Sequence, residues 1–264
     1  MDGVRHIDIY ETDLDVIRKK HEAIVVEAPL EIRIGRKGGK HVRLGVTMRT
    51  PGDDILLAKG FIYTEGVIQT IDEIHDIKVH EDHLLVTLSD QCEFDLDTIS
   101  ERLLISSSCG ICGKKGIKEL EYQTSRLPWF NKTKISLGTL SQMPAKMRFA
   151  QTLFEATGGI HAAALFDQGG HLISIKEDVG RHNALDKLIG DVVDRIKHPT
   201  VVFVSGRTSY ELVQKTAMLG APILASVGPA SSLAIETAEA EGMTLIGFAS
   251  DVKCNVYTGW ERIL

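Results

Sequence analysis

The chain has 264 residues, of which 43% are hydrophobic and 25% are charged, a balance typical of a globular protein with a sizeable core. Its 30 Lys and Arg residues against 36 Asp and Glu residues give a formal charge of −6. Binding along the phosphate backbone of DNA or RNA requires many clustered cations. The composition therefore argues against nucleic acid as the main partner.

The sequence also argues against a membrane-embedded or secreted protein. Its longest apolar runs, such as Val201–Val204, are far shorter than the roughly 20 residues of a membrane-spanning helix. The first residues show neither the basic start nor the apolar stretch of a secretory signal. The 4 cysteines are too few for a disulfide framework. We therefore expect a cytoplasmic protein whose cysteines are free thiols.

Residues 1–105 are rich in strand signals. Apolar and polar residues alternate over 31–34 and 42–46, and the apolar run over 83–88 is also typical of a strand. A Gly- and Lys-rich segment between the first two strands predicts a hairpin connection. Apolar residues at helical spacing over 53–63 predict one helix. We expect this region to form a β-rich N-terminal subdomain.

Residues 132–264 alternate between helical and strand patterns. The predicted elements, in chain order, are a helix over 143–154, strands over 162–166 and 172–175, a helix over 184–196, a strand over 201–204, a helix over 211–219, a strand over 223–227, a helix over 233–241 and a strand over 245–248. A hairpin followed by repeated β-α units predicts an α/β fold with a mixed, mostly parallel sheet and helices on both faces.

The segment 106–131 between these regions is dense in Gly and Ser, which predicts an exposed loop and linker. It contains the pair Cys109 and Cys112. Zinc sites usually need four ligands, and the other two cysteines are single and far apart. The neighbouring Lys114 and Lys115 favour a thiolate, as a persulfide carrier requires. Incidental loop thiols, or half of a metal site shared between subunits, remain alternatives.

Three strand-to-helix turns, over 177–187, 205–211 and 227–232, contain Gly or Ser, and the first two also carry cations. Free N–H groups at a helix start favour an anion, and ligands of open α/β sheets bind beyond the carboxyl ends of strands. Each turn alone is equally well explained by helix capping. Together they favour a phosphate-bearing ligand in one crevice. The candidate contacts are Arg181, His182, Ser205 and Arg207.

His161 lies between a predicted helix and a predicted strand. A catalytic role is possible for it, but a histidine hydrogen-bonded within the packing is at least as well supported. Zinc-dependent deaminases use H-x-E with a later P-C-x-x-C. Neither the glutamate nor a downstream cysteine pair is present, so the sequence argues against deaminase chemistry.

Several motifs together are distinctive. They are G-F-I-Y-T-E-G at 60–66, C-G-I-C-G at 109–113, T-G-G-I-H-A at 157–162, E-D-V-G-R-H-N-A-L-D-K at 177–187, S-G-R at 205–207, E-L-V-Q-K at 211–215 and N-V-Y at 255–257. With these motifs in this order over most of its length, the chain resembles the formate dehydrogenase accessory sulfurtransferase family (FdhD).

The resemblance implies a function and a fold. Members of that family receive sulfur from a cysteine desulfurase and pass it to the molybdenum or tungsten bis(guanine dinucleotide) cofactor that formate dehydrogenase requires. Cys109 corresponds to the family's persulfide cysteine and Cys112 to its second essential thiol. The core over 132–264 is expected to be cytidine deaminase-like, with three layers. We also expect a homodimer, in which a swinging loop can serve a crevice across the interface.

The resemblance also implies where the cofactor binds. The family's cofactor segment corresponds to Phe248, Ala249, Ser250, Asp251, Val252 and Lys253. Many relatives carry a basic residue where this chain has Ser250, so Lys253 is the cation left to supply the charge. The cofactor is expected as a bound substrate, and no permanent metal is expected.

These expectations combine into one mechanism. Cys109 takes sulfur from the desulfurase, the loop moves to the crevice, and Cys112 or a reductant assists release to the cofactor, whose phosphates Arg181, His182 and Arg207 hold. One alternative is a non-enzymatic chaperone that only binds the cofactor. Another is a zinc or iron protein in which the two thiols join ligands of a second subunit.

Overall fold

A computed structural model describes residues 3–93 and 133–264 of the chain. The predicted loop and linker over 106–131, with Cys109 and Cys112, lies outside the described residues. None of the helices in the two described stretches has the length and hydropathy that crossing a membrane requires.

The first stretch forms a hairpin and a four-stranded sheet with one helix. β1 (Val4–Asp13) and β2 (Val16–Val25) pair with each other in antiparallel orientation. The following elements are β3 (Ala28–Arg36), β4 (Val42–Arg49), α1 (Asp54–Thr64), a 3-10 helix (Ile71–Glu73), β5 (Ile74–Val79) and β6 (His83–Leu88). The strand order is β4-β3-β6-β5, and β3 runs parallel to β6.

One face of the four-stranded sheet packs on α1. Alternate residues of β3 (Leu30, Ile32 and Ile34) are buried with Leu57 and Ile62 of α1, as the period of two in a strand requires. The strands and the helix predicted here are confirmed. The sequence did not predict the β1–β2 hairpin, because charged residues occupy both of its faces and no apolar alternation results.

The second stretch forms a six-stranded sheet with helices. Its elements are α2 (Leu137–Ala150), α3 (Thr152–Thr157), β7 (His161–Phe166), β8 (Leu172–Asp178), α4 (Arg181–Val192), β9 (Val201–Val204), α5 (Tyr210–Leu219), β10 (Ile223–Ser226), α6 (Ser232–Ala240), β11 (Thr244–Gly247), β12 (Asn255–Thr258) and a 3-10 helix (Trp260–Arg262). The strand order is β12-β11-β10-β9-β7-β8.

The sheet is mixed, as predicted, but its pairing is not mostly parallel. β8, β9, β10 and β11 run in the same direction, while β7 and β12 oppose them. β7 lies between β8 and β9, so only the β9–β10 and β10–β11 pairs are parallel. The reason is that the chain, after the β7–β8 hairpin, leaves the edge strand β8, crosses over β7 and adds β9 on the other side of β7.

Helices cover both faces of the six-stranded sheet, as predicted. Apolar residues of α4, α5 and α6 are buried against one face of the strands. Leu140, Met143 and Met147 of α2 are buried against the other face, with Phe166 and Phe203. The core therefore has three layers. The likeness to cytidine deaminases stays a prediction.

The single helix predicted over 143–154 is wrong in one respect, because the structure has two helices that meet at Gln151. The carboxylate of Glu177 on β8 accepts hydrogen bonds from the backbone N–H groups of Leu153 and Phe154, both at 2.9 Å. These are N–H groups that a continuing α2 would have bonded internally. A distant carboxylate thus starts a new helix, α3.

The two stretches meet along α1 and α4. A Cβ at Gly60 of α1 would overlap the backbone of Asp186, and one at Gly190 of α4 would overlap the backbone of Leu56. The two glycines therefore let the helices pack backbone to backbone. The predicted boundaries of the subdomains at 105 and 132 stay predictions.

Candidate functional site

The predicted strand-to-helix turns meet at one edge of the six-stranded sheet. β8, β9, β10 and β11 all end at this edge, and β7 begins there because it runs in the opposite direction. His161 at the start of β7 is paired with Asp178 at the end of β8. The ends of β8, β9, β10 and β11 and the start of β7 therefore lie side by side at this edge.

Hydrogen bonds join these segments side by side. The N–H of Ala162 donates to Ser205 Oγ at 2.9 Å, which ties the start of β7 to the turn after β9. The N–H of Gly228 donates to the carbonyl of Gly206 at 3.3 Å, and the N–H of Phe248 donates to the carbonyl of Gly228 at 3.1 Å. The turns after β9, β10 and β11 are thus hydrogen-bonded side by side. The sequence had predicted that the turns after β8, β9 and β10 line one crevice, and the binding of a phosphate there stays a prediction.

The turn between β8 and α4 is built around Asp178. Its buried carboxylate accepts from the N–H of Gly180 at 2.9 Å and from the N–H of Thr50 at 3.1 Å. Lys187 Nζ lies 2.7 Å from the same carboxylate. These contacts fix the position at which α4 begins, and the first residue of α4 is Arg181.

Arg181 is half-buried, and its Nε is a buried donor without a hydrogen-bond partner among the described residues. A buried charged donor that lacks an acceptor is costly. Arg181 Nε is therefore available to an acceptor at the edge of the crevice. The predicted contact between Arg181 and a phosphate stays a prediction.

His182 has a partner within the protein. Its Nε2 lies 2.8 Å from a carboxylate oxygen of Glu211 and 3.3 Å from Ser209 Oγ, both at the start of α5. This pairing leaves only Nδ1 of the ring for another group. The predicted contact between His182 and a phosphate stays a prediction.

The pKa of His161 is affected by its burial and by the positive charges around it. Its ring lies 3.2 Å from the position that a Cβ at Gly206 would take, so a larger residue there would crowd the imidazole. Burial lowers the pKa of His161 below its ordinary value of 6.5, and the charges of Arg181 and His182 lower it further. The imidazole is therefore neutral at pH 7 in a positive environment, which favours an anionic ligand.

Arg207 is exposed and carries no ion pair to any residue within 3–93 or 133–264.

Phe248, the first residue of the predicted cofactor segment, has φ = 52° and is 45% exposed. A non-glycine residue in this left-handed region costs about 1 kcal/mol or more, and such residues cluster at functional sites. Ala249 is buried, and its N–H donates to the carbonyl of Ser226 at 3.0 Å.

The rest of the predicted cofactor segment forms a tight turn. Ser250 Oγ accepts from the N–H of Lys253 at 3.1 Å, and the N–H of Ser250 donates to the carbonyl of Lys253 at 2.9 Å. Ser250, Asp251, Val252 and Lys253, together with Cys254 and the start of α2, line a cavity of about 410 Å³. Burial raises the pKa of the Cys254 thiol, which disfavours its thiolate.

A second cavity, of about 480 Å³, opens next to His161 and is termed the α2–α3 cavity here. Its lining consists of Pro144, Met147, Arg148, Gln151, Phe154, Gly158, Gly159, Ile160, His161, Val179, Ser205 and Val227. Its size is within the range of small-molecule sites. Among its lining residues, the sequence had predicted only Ser205 as a ligand contact.

Gln151 and Arg148 of this cavity were missed by sequence reasoning. Gln151 is only 3% exposed, and its Nε2 has no hydrogen-bond partner among the described residues. The guanidinium of Arg148 lies over the ring of Phe154, 3.8 Å from the ring centroid. No sequence motif marks these residues, because their importance comes from the break between α2 and α3.

The described residues contain no cluster of three or more His, Cys, Asp or Glu side chains placed to hold a metal ion. The buried side-chain atoms without a partner in the described parts of the crevice and of the α2–α3 cavity are Arg181 Nε, Gln151 Nε2 and Thr208 Oγ1, and all three can donate a hydrogen bond. This arrangement suits a ligand rich in acceptors, such as a phosphate ester.

Sequence comparison decides which family this architecture belongs to. Residues 25–264 match the FdhD/NarQ family. The chain belongs to the FdhD/NarQ family. A "Sulfur carrier protein FdhD" from Mycolicibacterium paratuberculosis is 42% identical over 92% of both chains. Another of that name, from Thermoplasma acidophilum, is 40% identical and covers 92% of this chain and 87% of the relative.

A solved structure supports the fold. A candidate formate dehydrogenase accessory protein from Desulfotalea psychrophila aligns with a TM-score of 0.78 over 99% of both chains, at 24% sequence identity. The FdhD/NarQ match begins at residue 25 and so leaves out β1 and nearly all of β2. The crevice and the α2–α3 cavity both lie within the matched residues.

Proposed function

We propose that the chain is a sulfur carrier with sulfurtransferase activity. It receives persulfide sulfur from a cysteine desulfurase and delivers it to the molybdenum or tungsten bis(guanine dinucleotide) cofactor needed by formate dehydrogenase. A cytoplasmic location and a homodimer belong to the same proposal. The cofactor is treated as a substrate that binds and leaves.

The names of the relatives support the sulfur-carrier part of this proposal. Relatives that are 42% and 40% identical to this chain are called sulfur carrier proteins. Cys109 and Cys112 are the cysteines that a carrier would use, since Cys92 is buried and the pKa of the Cys254 thiol is raised. Both of the proposed carrier cysteines lie outside the described residues.

The crevice supports the cofactor part, and Arg181 is the observation that carries it. Its Nε is buried without an acceptor at the edge where the turns after four strands converge. A guanidinium binds phosphate with two parallel hydrogen bonds, and the exposed Arg207 adds a second cation. The strained Phe248 and the exposed Lys253 lie on the adjoining segment.

The transfer is written so that atoms and electrons balance. The Cys109 thiolate attacks the terminal sulfur of the desulfurase persulfide, an S–S bond forms on Cys109, and the desulfurase thiolate leaves. The Cys112 thiolate then attacks Cys109 Sγ, forms a Cys109–Cys112 disulfide and releases the terminal sulfur as hydrosulfide. A thiol reductant restores both thiols. Arg181 and Arg207 hold the cofactor phosphates during delivery.

The test is mass spectrometry of the full chain after incubation with a cysteine desulfurase and cysteine. The wild-type chain should gain one sulfur atom that a thiol reductant removes, and Cys109→Ser should gain none. Cys254→Ser is the matched control and should behave like the wild type, because burial disfavours the Cys254 thiolate.

Three outcomes would contradict the proposal. Labile sulfur on Cys109→Ser would show that another residue is the acceptor. No sulfur on the wild-type chain, with the cofactor nucleotide still bound, would favour the alternative of a non-enzymatic chaperone. A stoichiometric metal in freshly purified protein would instead favour the shared zinc or iron site.

A further inference from the structure

The turn between β3 and β4 carries a concentration of positive charge that its geometry does not require. Residues 36–43, termed the basic turn here, contain 4 Lys and Arg residues and no Asp or Glu, in a chain whose formal charge is −6. The N–H of Gly39 donates to the carbonyl of Arg36 at 2.9 Å, and Gly38 has φ = 74°. Backbone hydrogen bonding and a glycine therefore close the turn, and the cations have another role.

Most of this charge is not neutralised by the described residues. Lys37 and Lys40 are exposed, and neither forms an ion pair with a residue in the two described stretches. Arg43 is also exposed, and the Glu31 carboxylate at 3.9 Å from it is held more closely by Arg33, at 3.1 Å. The basic turn therefore presents positive charge to the solvent.

The basic turn lies beside the place where the chain leaves the first described stretch. β3 and β6 run in parallel and end together, with Arg36 opposite Leu88. The guanidinium of Arg36 donates to the carbonyls of Ser89, at 3.0 Å, and Cys92, at 2.6 Å. Cys109 follows Cys92 by 17 residues, a length of chain that spans at most about 60 Å. A protein bound at the basic turn is therefore within reach of Cys109.

The crevice lies toward the other end of the same sheet. Thr47 Oγ1, near the end of β4, donates to Asn183 at 2.9 Å, and the N–H of Thr50 donates to Asp178 at 3.1 Å. β4 has 8 residues, so the basic turn at its start is roughly 24 Å from these contacts at the rise of an antiparallel strand. A macromolecule bound at the basic turn therefore leaves the crevice open.

We propose that the basic turn is the surface on which the cysteine desulfurase docks, through an acidic region of the desulfurase that Lys37, Lys40 and Arg43 contact. This inference rests on the proposed function, which requires a protein that donates sulfur to Cys109. Exposed cations attract an acidic surface over about 10 Å at 0.1 M salt and mainly raise the rate of association. Nucleic acid is a poorer occupant, because neutralising phosphates with so few cations releases few counterions.

The experiment measures the initial rate of sulfur gain on the full chain, by mass spectrometry, at a series of desulfurase concentrations with cysteine in excess. The double variant Lys37→Glu/Lys40→Glu should raise the half-saturating desulfurase concentration about tenfold and leave the rate at saturation unchanged. Raising the salt concentration from about 0.05 M to about 0.5 M should weaken docking of the wild-type chain more than docking of the variant.

Two controls separate docking from other effects. Lys78→Glu/Lys197→Glu reverses two exposed lysines outside the basic turn, neither of which has an ion pair in the described part of the chain, and should behave like the wild type. Glutathione persulfide, a small donor whose thiolate leaves when Cys109 takes the terminal sulfur, needs no docking surface. It should load the wild type and the Lys37→Glu/Lys40→Glu variant at the same rate.

The inference is overturned if reversing Lys37 and Lys40 leaves the half-saturating desulfurase concentration unchanged, or if the control variant weakens docking as much. It is also overturned if loading from glutathione persulfide slows equally, because the lysines would then act on the thiol of Cys109. Failure of the proposed function looks different, since the wild-type chain would then gain no sulfur from either donor.

Discussion

The motif at 177–187 contains two groups of polar residues with opposite environments. Asp178, Asp186 and Lys187 face the interior and are fully partnered. Lys187 Nζ lies 2.7 Å from Asp178 and donates to the carbonyl of Thr50 at 2.8 Å. Asp186 lies 2.9 Å from Lys215 Nζ, which also donates to Thr64 Oγ1 at 2.8 Å.

The second group lies at the crevice and consists of Arg181, whose Nε lacks a partner, and His182, which pairs with Glu211. Arg181 has a buried Nε without an acceptor, and nearby His161 has a lowered pKa because burial and the adjacent positive charges disfavour its protonation. The difference separates two environments within one sequence motif. Asp178, Asp186 and Lys187 join the two described stretches, whereas Arg181 Nε is open to an acceptor from outside the described residues.

The buried ion pairs connect distant parts of the chain. Burial disfavours a charge on Lys215, but Asp186 and Glu65 outweigh it and raise the pKa of Lys215. Asn183 adds a neutral link, since its side-chain amide donates to the carbonyl of Met48 at 2.7 Å. The motif therefore positions Arg181 by anchoring α4 to β4 and α1.

The largest expected effect follows from breaking a fully partnered pair. Asp178→Asn keeps the shape of the side chain but leaves Lys187 without its counter-charge in a buried site, so the free energy of unfolding should fall by about 3–5 kcal/mol. Urea denaturation measures this loss.

A second replacement sharpens this test. Adding Lys187→Met to Asp178→Asn removes the orphaned charge and should restore much of the stability. Lys20→Gln, on the exposed pair with Glu11, is the control and should leave the urea midpoint unchanged. If Asp178→Asn lowered the free energy of unfolding no more than Lys20→Gln does, the ion pair between Asp178 and Lys187 would not stabilise the turn between β8 and α4.

A smaller effect on stability, with a large effect on binding, is expected for the unpartnered group. Arg181→Gln removes a donor that has no partner in the protein, so the unfolding free energy should change little. Affinity for GDP should fall about tenfold to a hundredfold, because a hydrogen bond to a charged group is worth about 1.5–3 kcal/mol.

Calorimetric titration and urea denaturation of the same Arg181→Gln sample measure both quantities. Arg195→Gln is a matched control, since Arg195 lies just beyond the end of α4 and pairs with Asp191. Loss of stability comparable to that of Asp178→Asn would place Arg181 among the structural residues.

The smallest expected effect is a change of pH dependence at His161. Because its pKa is lower in the folded chain than in the unfolded chain, the unfolded state takes up the proton first as the pH falls. Wild-type stability should therefore decrease as the pH falls below about 6.5, and His161→Asn should lack this part of the decrease. Urea midpoints between about pH 7.5 and about pH 5 measure the difference. Parallel curves for the two proteins would rule out a buried, neutral His161.

Much of the fold could be predicted from the sequence. The strands over 83–88 and 201–204 match the structure to the residue, because each is an apolar run whose ends are marked by polar or turn-forming residues. The break at Gln151 could not be predicted, because the acceptor that starts α3 is Glu177, on another strand. The antiparallel place of β7 beside β9 was missed for a related reason, since pairing between distant strands leaves no local signal.

The sequence by itself determined the alternation of strands and helices and the resemblance to the family, because hydrophobic period, turn residues and motifs are local properties. Only the tertiary structure decided which charged residues are partnered and which are left without a partner. Pairs such as Lys187–Asp178 and donors such as Gln151 Nε2 are defined by what the rest of the chain places around them. A buried donor requires an acceptor, and only the packed structure shows which donors the chain itself leaves without one.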